Sequence, residues 1–427
     1  MRFKEDLLQY IWKFQKFERQ ELKTTKQLPI VIKHPGLHNF NSGPDFLQGE
    51  VIIDKTRWIG SIEIHIKSSD WISHKHSLDP AYANVILHVV YKHDTEIKYP
   101  DGTEIPTLCL STRISNFMIE QYGRLMLNQD WVPCSQFLKN ISPMIKSHWL
   151  ERMSIERLEK KTEDILTSLK AHQNNWDLVA YKVIAKHLGY KVNNEAFSRL
   201  FEQTKFELFI KHQSNLFQLE ALIFGQAGFL TKPVDDYCKK LNQEYEHLKN
   251  KYKLQGIKKH EWKFSRMRPL NFPTIRMAQL CAMIHTTGRI FQKILASRSV
   301  IELEKLLSVT ASKYWDTHYR FGVVTKPVPK KIGSASKQIL IINAIVPLLF
   351  AYGIKTQNQA YKEEALKILH SMVPEKNKII SAWNKSGYKG QNAGDSQALL
   401  HLKREYCDKY QCLRCSIGNE MFSKVKK

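Results

Sequence analysis

Apolar runs are short in this chain of 427 residues. The nearest approach to a membrane span, Ile339 to Tyr352, is interrupted by Asn343 and Pro347. It falls short of the roughly 20 consecutive apolar residues a bilayer requires, so no membrane partner is expected. The N-terminus carries acids early, at Glu5 and Asp6, and lacks the small-residue cleavage site of a secretory signal. That predicts a cytoplasmic protein. Cysteine is scarce, at seven residues, with three crowded between Cys407 and Cys415. Such a distribution suits a reduced compartment and a metal site better than a disulfide framework. Low-complexity tracts are missing, and a hydrophobic content of 43% gives the chain the means to fold throughout.

Acids are also few, 41 Asp+Glu against 65 Lys+Arg, for a net charge of +24. The excess is uneven. Residues 1–130 hold 16 of each sign, leaving 49 basic residues against 25 acids in residues 131–427. A surplus of that size favours phosphate backbones through counterion release, which makes nucleic acid the expected partner. The length exceeds a typical single core, so two or more domains are expected.

The informative stretch is Asn41 to His88. Ser61-Ile-Glu-Ile-His-Ile-Lys67 alternates strictly, with Ile62, Ile64 and Ile66 on one face and Ser61, Glu63, His65 and Lys67 on the other. That period predicts a strand packed on one side only. A carboxylate, an imidazole and an ammonium in a row on its other face are costly unless they reach water or bind something. Asp45 stands upstream at the start of another apolar run. Two acids on neighbouring strands with basic groups beside the second can hold a hard divalent cation, Mg or Mn, and activate a water.

Pro44-Asp45 followed by Glu63-Ile64-His65 resembles the PD-(D/E)XK nuclease signature, with His65 where that superfamily usually has lysine. Lys67, on the same strand face, is a candidate migrated substitute. The resemblance implies that Asp45, Glu63 and the Ile64 carbonyl hold the metal, while His65 or Lys67 orients water and meets developing phosphorane charge. The order of elements agrees: a helix at 5–18, strands at 28–33, 46–53 and 58–67, a crossover at 71–83 and a strand at 84–91. A wider set of phrases, among them NSGPDF, GSIEIH, DPAYANVILHVV, RMRPLNFPTIR and YCDKYQCLRCSIG, is similar to the bacterial domain-of-unknown-function 2851 family. That similarity spans nearly the whole chain and brings no activity with it.

His74 and His76 follow the motif strand and are candidates for contacting a scissile phosphate or orienting the acids, while His88 sits in an apolar strand. Tyr99-Pro-Asp-Gly102 predicts a hairpin turn, and a helix is expected at 115–127. Beyond Trp131-Val-Pro-Cys134 the pattern becomes helical and basic, with helices at 235–253, 338–352, 357–371 and 394–406 and a flexible basic loop at 321–337. In Trp262 to Pro273 arginines interleave with aromatics. Such a segment either grips phosphate and stacks bases or packs its rings between helices.

Cys407-x4-Cys412-x2-Cys415 supplies three soft ligands, and Cys134 is the candidate fourth for zinc or an iron-sulfur cluster. Some members of the resembled superfamily carry such a cysteine staple around an iron-sulfur cluster, with different spacing. The expected fold is therefore α+β: a restriction-endonuclease-like α/β core over residues 1–130, then a mostly helical basic domain over residues 131–427 that ends in the cysteine cluster. The leading function is metal-dependent hydrolysis of phosphodiester bonds in DNA or RNA. The alternative is a non-catalytic nucleic-acid-binding or scaffold protein on a nuclease-like fold. A third reading, a zinc hydrolase built on His74, His76 and His88, requires those histidines to converge.

Overall fold

The computed structural model describes residues 3–423. Two compact units divide the chain. The first comprises Met1–Trp149, Ser386–Tyr388 and Leu402–Lys427, the second Leu150–Lys385 and Lys389–His401. The sequence places the N-terminal domain's end near residue 130 and assigns the C-terminal stretch to the helical part. In the structure the first unit runs on to Trp149 and takes in the cysteine-bearing terminal stretch.

The first unit opens with helix α1, Glu5–Lys13, whose buried Leu7, Leu8, Ile11 and Trp12 recur at helical spacing and whose first turn carries Glu5 and Asp6, favourable at the positive end of the helix dipole. It stops short of the expected residue 18 because Gln15 adopts a left-handed φ of 52°. A mixed sheet follows, built from β1 (Ile30–His34), β2 (Leu37–His38), β3 (Phe46–Ile53), β4 (Thr56–Lys67), β5 (Val85–Lys92) and β6 (Thr107–Cys109). Its order is β1-β3-β4-β5-β6, with β2 paired to β3. The β1, β3 and β4 strands form an antiparallel meander, and β5 and β6 continue parallel to β4. The crossover from β4 to β5 is a short helix α2, Asp70–Ser73, and two 3-10 turns at His76–Leu78 and Pro80–Tyr82. After the expected turn at Tyr99–Gly102, helix α3 spans Asn116–Leu127.

One feature of β4 corrects the sequence reading. Ser61 through His65 are all buried, so both faces of the strand are covered rather than one. The polar face carrying Glu63 and His65 lies under the crossover, where Trp71 is buried. Gly60 permits the close approach of β4 to the start of β5, since a Cβ there would come within 2.5 Å of the Asn84 carbonyl oxygen.

The second unit is helical around one large apolar core, to which Val179, Phe197, Phe224, Leu280, Ile345 and Leu348 belong. Its run Ser334–Lys355 is long and apolar enough to cross a membrane by length and composition, yet two thirds of its most apolar window is buried in the protein, and a π-helical turn at Ile341–Ile345 interrupts it. The Trp262 to Pro273 segment packs its rings inward. The Trp262 indole is buried and donates to the Ala227 carbonyl at 2.9 Å, and the Arg320 guanidinium lies 4.6 Å from the ring centres of both Phe264 and Phe272. The basic stretch 321–337 is likewise ordered, with Lys330 buried and its ammonium donating to the carbonyls of Val328 at 2.7 Å and Asp316 at 2.9 Å.

Glu220 is fully buried in this core and accepts from the Tyr237 hydroxyl at 2.5 Å. Burial raises its carboxyl to about 7, and that hydrogen bond offsets only part of the rise. An unfolded chain loses this proton near the ordinary value of 4.5, so the stability Glu220 confers is present at lower pH and is lost as pH rises towards 7. Glu220→Gln removes the dependence. Denaturant unfolding at several pH values should show the wild type losing ground to the variant between pH 4.5 and 7, by on the order of 3 kcal/mol. A constant difference across that window contradicts a protonated buried Glu220.

Candidate metal centre

The register of the sheet builds the site. β3 begins at Phe46, opposite Ile62 of β4, so β4 extends beyond its neighbour and the N–H of Ile64 has no strand to pair with on that side. Asp45, the residue just before β3, fills the gap. Its Oδ2 accepts from Ile64 N–H at 3.1 Å, its Oδ1 accepts from Gln9 Nε2 of α1 at 2.7 Å, and its own N–H donates to Glu63 Oε2 at 3.0 Å. A bulge between Phe46 and Gly49, where Gln48 takes a φ of 56°, re-aims the start of β3. The two acids singled out in the sequence therefore meet, and Ile64 enters through its N–H.

The other oxygen of Glu63 faces imidazoles. Glu63 Oε1 lies 3.5 Å from His65 Nε2 and 3.4 Å from His76 Nε2. His65 Nε2 is itself 3.2 Å from His74 Nδ1 and 3.3 Å from His76 Nε2, and the ligand nitrogens of His65, His74 and His76 all fall within 4.8 Å of one another. Around a tetrahedral ion with bonds of about 2.0–2.1 Å, ligand atoms stand roughly 3.3 Å apart. The four short separations are of that size, three of them radiating from His65 Nε2, and the mutually close set of ligand atoms is that of His65, His74 and His76.

Local conformation explains the convergence. His74 follows α2 directly, and Lys75 adopts a left-handed φ of 60°, which turns the chain so that His76 returns to the cluster. Tyr82 stacks on His76 with ring centres 3.8 Å apart, and Trp71 meets it edge-on at 5.3 Å. Behind His65, its Nδ1 is 2.9 Å from Nε2 of the buried His88. That contact fixes the ring so that Nε2 of His65 is turned to the cluster. His88 is a supporting residue here, and the sequence reading that made it a ligand beside His74 and His76 gives way to His65 in that place.

Electrostatics set the chemistry. Burial foremost, and then the charge of Asp45, push the Glu63 carboxyl up, and burial does the same to Asp45. Burial, followed by the neighbouring imidazoles, drives His65 well below its ordinary value and lowers His76. Glu5 of α1 is raised to about 7, first by burial and then by the charges of Asp45, Asp70 and Asp6. Bare protein thus holds Glu63, His65 and His76 neutral near pH 7, and a dication placed among them would favour an ionised Glu63 and unprotonated imidazoles. The donor set of three imidazoles and a carboxylate fits a transition ion such as zinc or manganese better than magnesium. A cleft of about 260 Å³ adjoins the cluster, lined by His76, Trp71, Tyr82, Tyr99 and Lys98 among others.

Lys67 stands apart. Its side chain is exposed at the end of β4, and its charge acts on Asp94. Cys134, Cys407, Cys412 and Cys415 are all buried in the first unit as free thiols. Glu5 and Gln9 escaped the sequence reading, because one acid and one amide on an amphipathic helix carry no spacing signal.

A family model described as "Protein of unknown function (DUF2851)" matches residues 5–378, so the chain belongs to that family. No curated protein and no solved structure matches the chain.

The geometry makes His88 a second-layer support, and His88→Ala should lower zinc or manganese affinity about 10–100-fold. Competition titration with a chelating dye measures it. Unchanged affinity in His88→Ala contradicts the assigned orientation of His65.

Proposed function

We propose that this chain is a metal-dependent hydrolase of phosphodiester bonds in nucleic acid. The observation that carries the reading is the convergence of the His65, His74 and His76 nitrogens within 4.8 Å of one another, with Glu63 Oε1 3.5 Å from His65 and 3.4 Å from His76, beside the further acids Asp45 and Glu5. The element order supports the nuclease resemblance: a helix, an antiparallel three-strand meander, a crossover and a strand parallel to the third, with Asp45 at the start of one central strand and Glu63 within the next. The basic surplus in residues 131–427 supports nucleic acid as substrate.

A bound divalent ion supplies Lewis acidity and a water of lowered pKa. Glu63, His65, His74 and His76 would hold it. Asp45 orients Glu63 by donating its N–H to Oε2, and Gln9 keeps the Asp45 carboxylate turned towards the site. Glu5, half-buried, titrating near neutrality and acting electrostatically on Glu63, is the group we assign to accept a proton from the attacking water. Tyr82 and Trp71 wall His76, and the adjoining cleft offers flat rings beside the cluster for a nucleotide base.

A non-catalytic, binding-only reading draws on a different observation. The position of the superfamily lysine is taken by His65, and Lys67 lies outside the cluster. One experiment separates the two. Purified protein with manganese or zinc is incubated with single-stranded, duplex and branched DNA and with RNA, beside Asp45→Asn, Glu63→Gln and His74→Ala. Hydrolysis is expected in the wild type and a loss of at least about 100-fold in each variant, the scale of removing a central catalytic group. Binding without cleavage by all four proteins supports the scaffold reading.

A further inference from the structure

The helical unit carries a cleft of about 620 Å³ whose lining lies wholly within that unit. Its walls come from helix α4 (Pro143–Ala171), helix α5 (Trp176–Leu188), helix α6 (Tyr190–Gln203) and the apolar run Ser334–Lys355. Periodicity explains why they leave a polar space. On α4, Lys161, Asp164 and Ser168 line it at helical spacing, on α5 Lys182 and Lys186 stand one turn apart, and on α6 Ser198 and Glu202 do the same. Helix faces turned towards neighbouring helices normally carry apolar side chains. Here those stripes are polar, and a volume of this size lies in the range of small-molecule sites, which favour gaps between packed helices.

The long apolar run is distorted where it meets the cleft. Its π-helical turn is buried at Ile341, Ile342, Ala344 and Ile345, and the odd member, Asn343, lines the cleft. Asn343 Nδ2 donates to the Ile339 carbonyl at 3.1 Å, and its Oδ1 accepts from Lys161 Nζ at 2.8 Å. Single π-helical turns inside α-helices recur at functional sites. This one fixes an ammonium at the cleft wall. Lys182 pairs with Glu202 at 3.0 Å, whereas Lys186 and Asp164 have no oppositely charged partner among the described residues. Lys161 and Lys186 both act on His187, which burial foremost and then those two charges lower to about 4, so the imidazole adds no charge of its own near neutrality.

We propose that this cleft binds a hydroxyl-bearing phosphate monoester, of the class of a sugar phosphate or a nucleoside monophosphate. Such a group carries close to two negative charges at neutral pH and three acceptor oxygens, which suits ammoniums on two walls better than a carboxylate does. Lys161, held by Asn343, and Lys186 take the phosphate. Asp164 accepts from hydroxyls of the ligand, and Ile165, Val183 and Pro347 give an apolar bed for its carbon skeleton. Inorganic phosphate alone would leave most of the cleft empty. The site stands apart from phosphodiester hydrolysis, since all of its residues lie in the helical unit and none belongs to the imidazole centre.

Calorimetric titration of the metal-free full chain tests this, because removing divalent ions takes phosphate ligation at the imidazole centre out of the measurement. Ribose phosphate and adenosine monophosphate are the phosphorylated probes, with adenosine and inorganic phosphate beside them. At least one ester should bind with a dissociation constant below about 1 mM, and adenosine and inorganic phosphate at least about 10-fold more weakly. Which ester binds tighter distinguishes a sugar from a nucleoside body. Lys186→Ala, at an exposed position that leaves core packing alone, should weaken the tighter ester about 10–100-fold, the scale of one hydrogen bond to a charged group. Asn343→Leu, which releases Lys161, should weaken it too. Lys240→Ala, at an exposed position of the helix Asp236–Tyr252 outside the cleft, should leave it unchanged. Absence of binding by both esters, equal affinity for inorganic phosphate, or an affinity that Lys186→Ala leaves alone or Lys240→Ala lowers equally overturns the assignment. Failure of nucleic-acid hydrolysis leaves it standing, since none of these readouts depends on activity.

Discussion

Burying Glu63, His65 and His88 on adjacent strands of one sheet is the constraint to which the rest of the N-terminal unit answers. Ionised groups in such a place are expensive unless compensated, and the protein's own solution without a cation is neutrality: raised carboxyls and lowered imidazoles. Evolution rarely keeps such a cluster for stability, because well-packed apolar side chains of similar size would serve better. One dication would compensate the whole arrangement. The crossover supplies His74 and His76, its Trp71 and Tyr82 hold the rings, and α1 contributes Glu5 and Gln9 from the other side.

Much of this was legible in the sequence where a short-range signal exists. The alternation in Ser61–Lys67 announced β4, and Pro44-Asp45 marked the entry to β3. The partnership of Asp45 with Glu63 followed, because adjacent antiparallel strands bring their acids together once the register is right. Alternation alone did not reveal that the polar face is covered, since a strand buried on both sides by a crossover and a strand facing water look alike when the inward groups are Glu and His. The return of His76 to His65 depends on a single left-handed residue, Lys75, which no propensity singles out.

Long-range placement was the least legible. Helices across the C-terminal part follow from apolar periodicity, and observed elements such as Asp236–Tyr252 and Gln359–Ser371 lie close to their expected spans. That the terminal cysteines join the unit begun by residue 1, rather than the helical unit preceding them, is decided by tertiary packing across most of the chain's length. The Trp262 to Pro273 segment shows the complementary case: its arginines and rings suit nucleic acid in sequence, but its rings fill space between helices instead.

The central claim is that Glu63, His65, His74 and His76 share one metal ion. Crystals grown with manganese, with diffraction recorded on both sides of the manganese absorption edge, test it most directly. The account predicts an anomalous peak about 2.0–2.2 Å from Glu63 Oε1, His65 Nε2, His74 Nδ1 and His76 Nε2. Full manganese occupancy elsewhere, with those four atoms free of any peak, would contradict it.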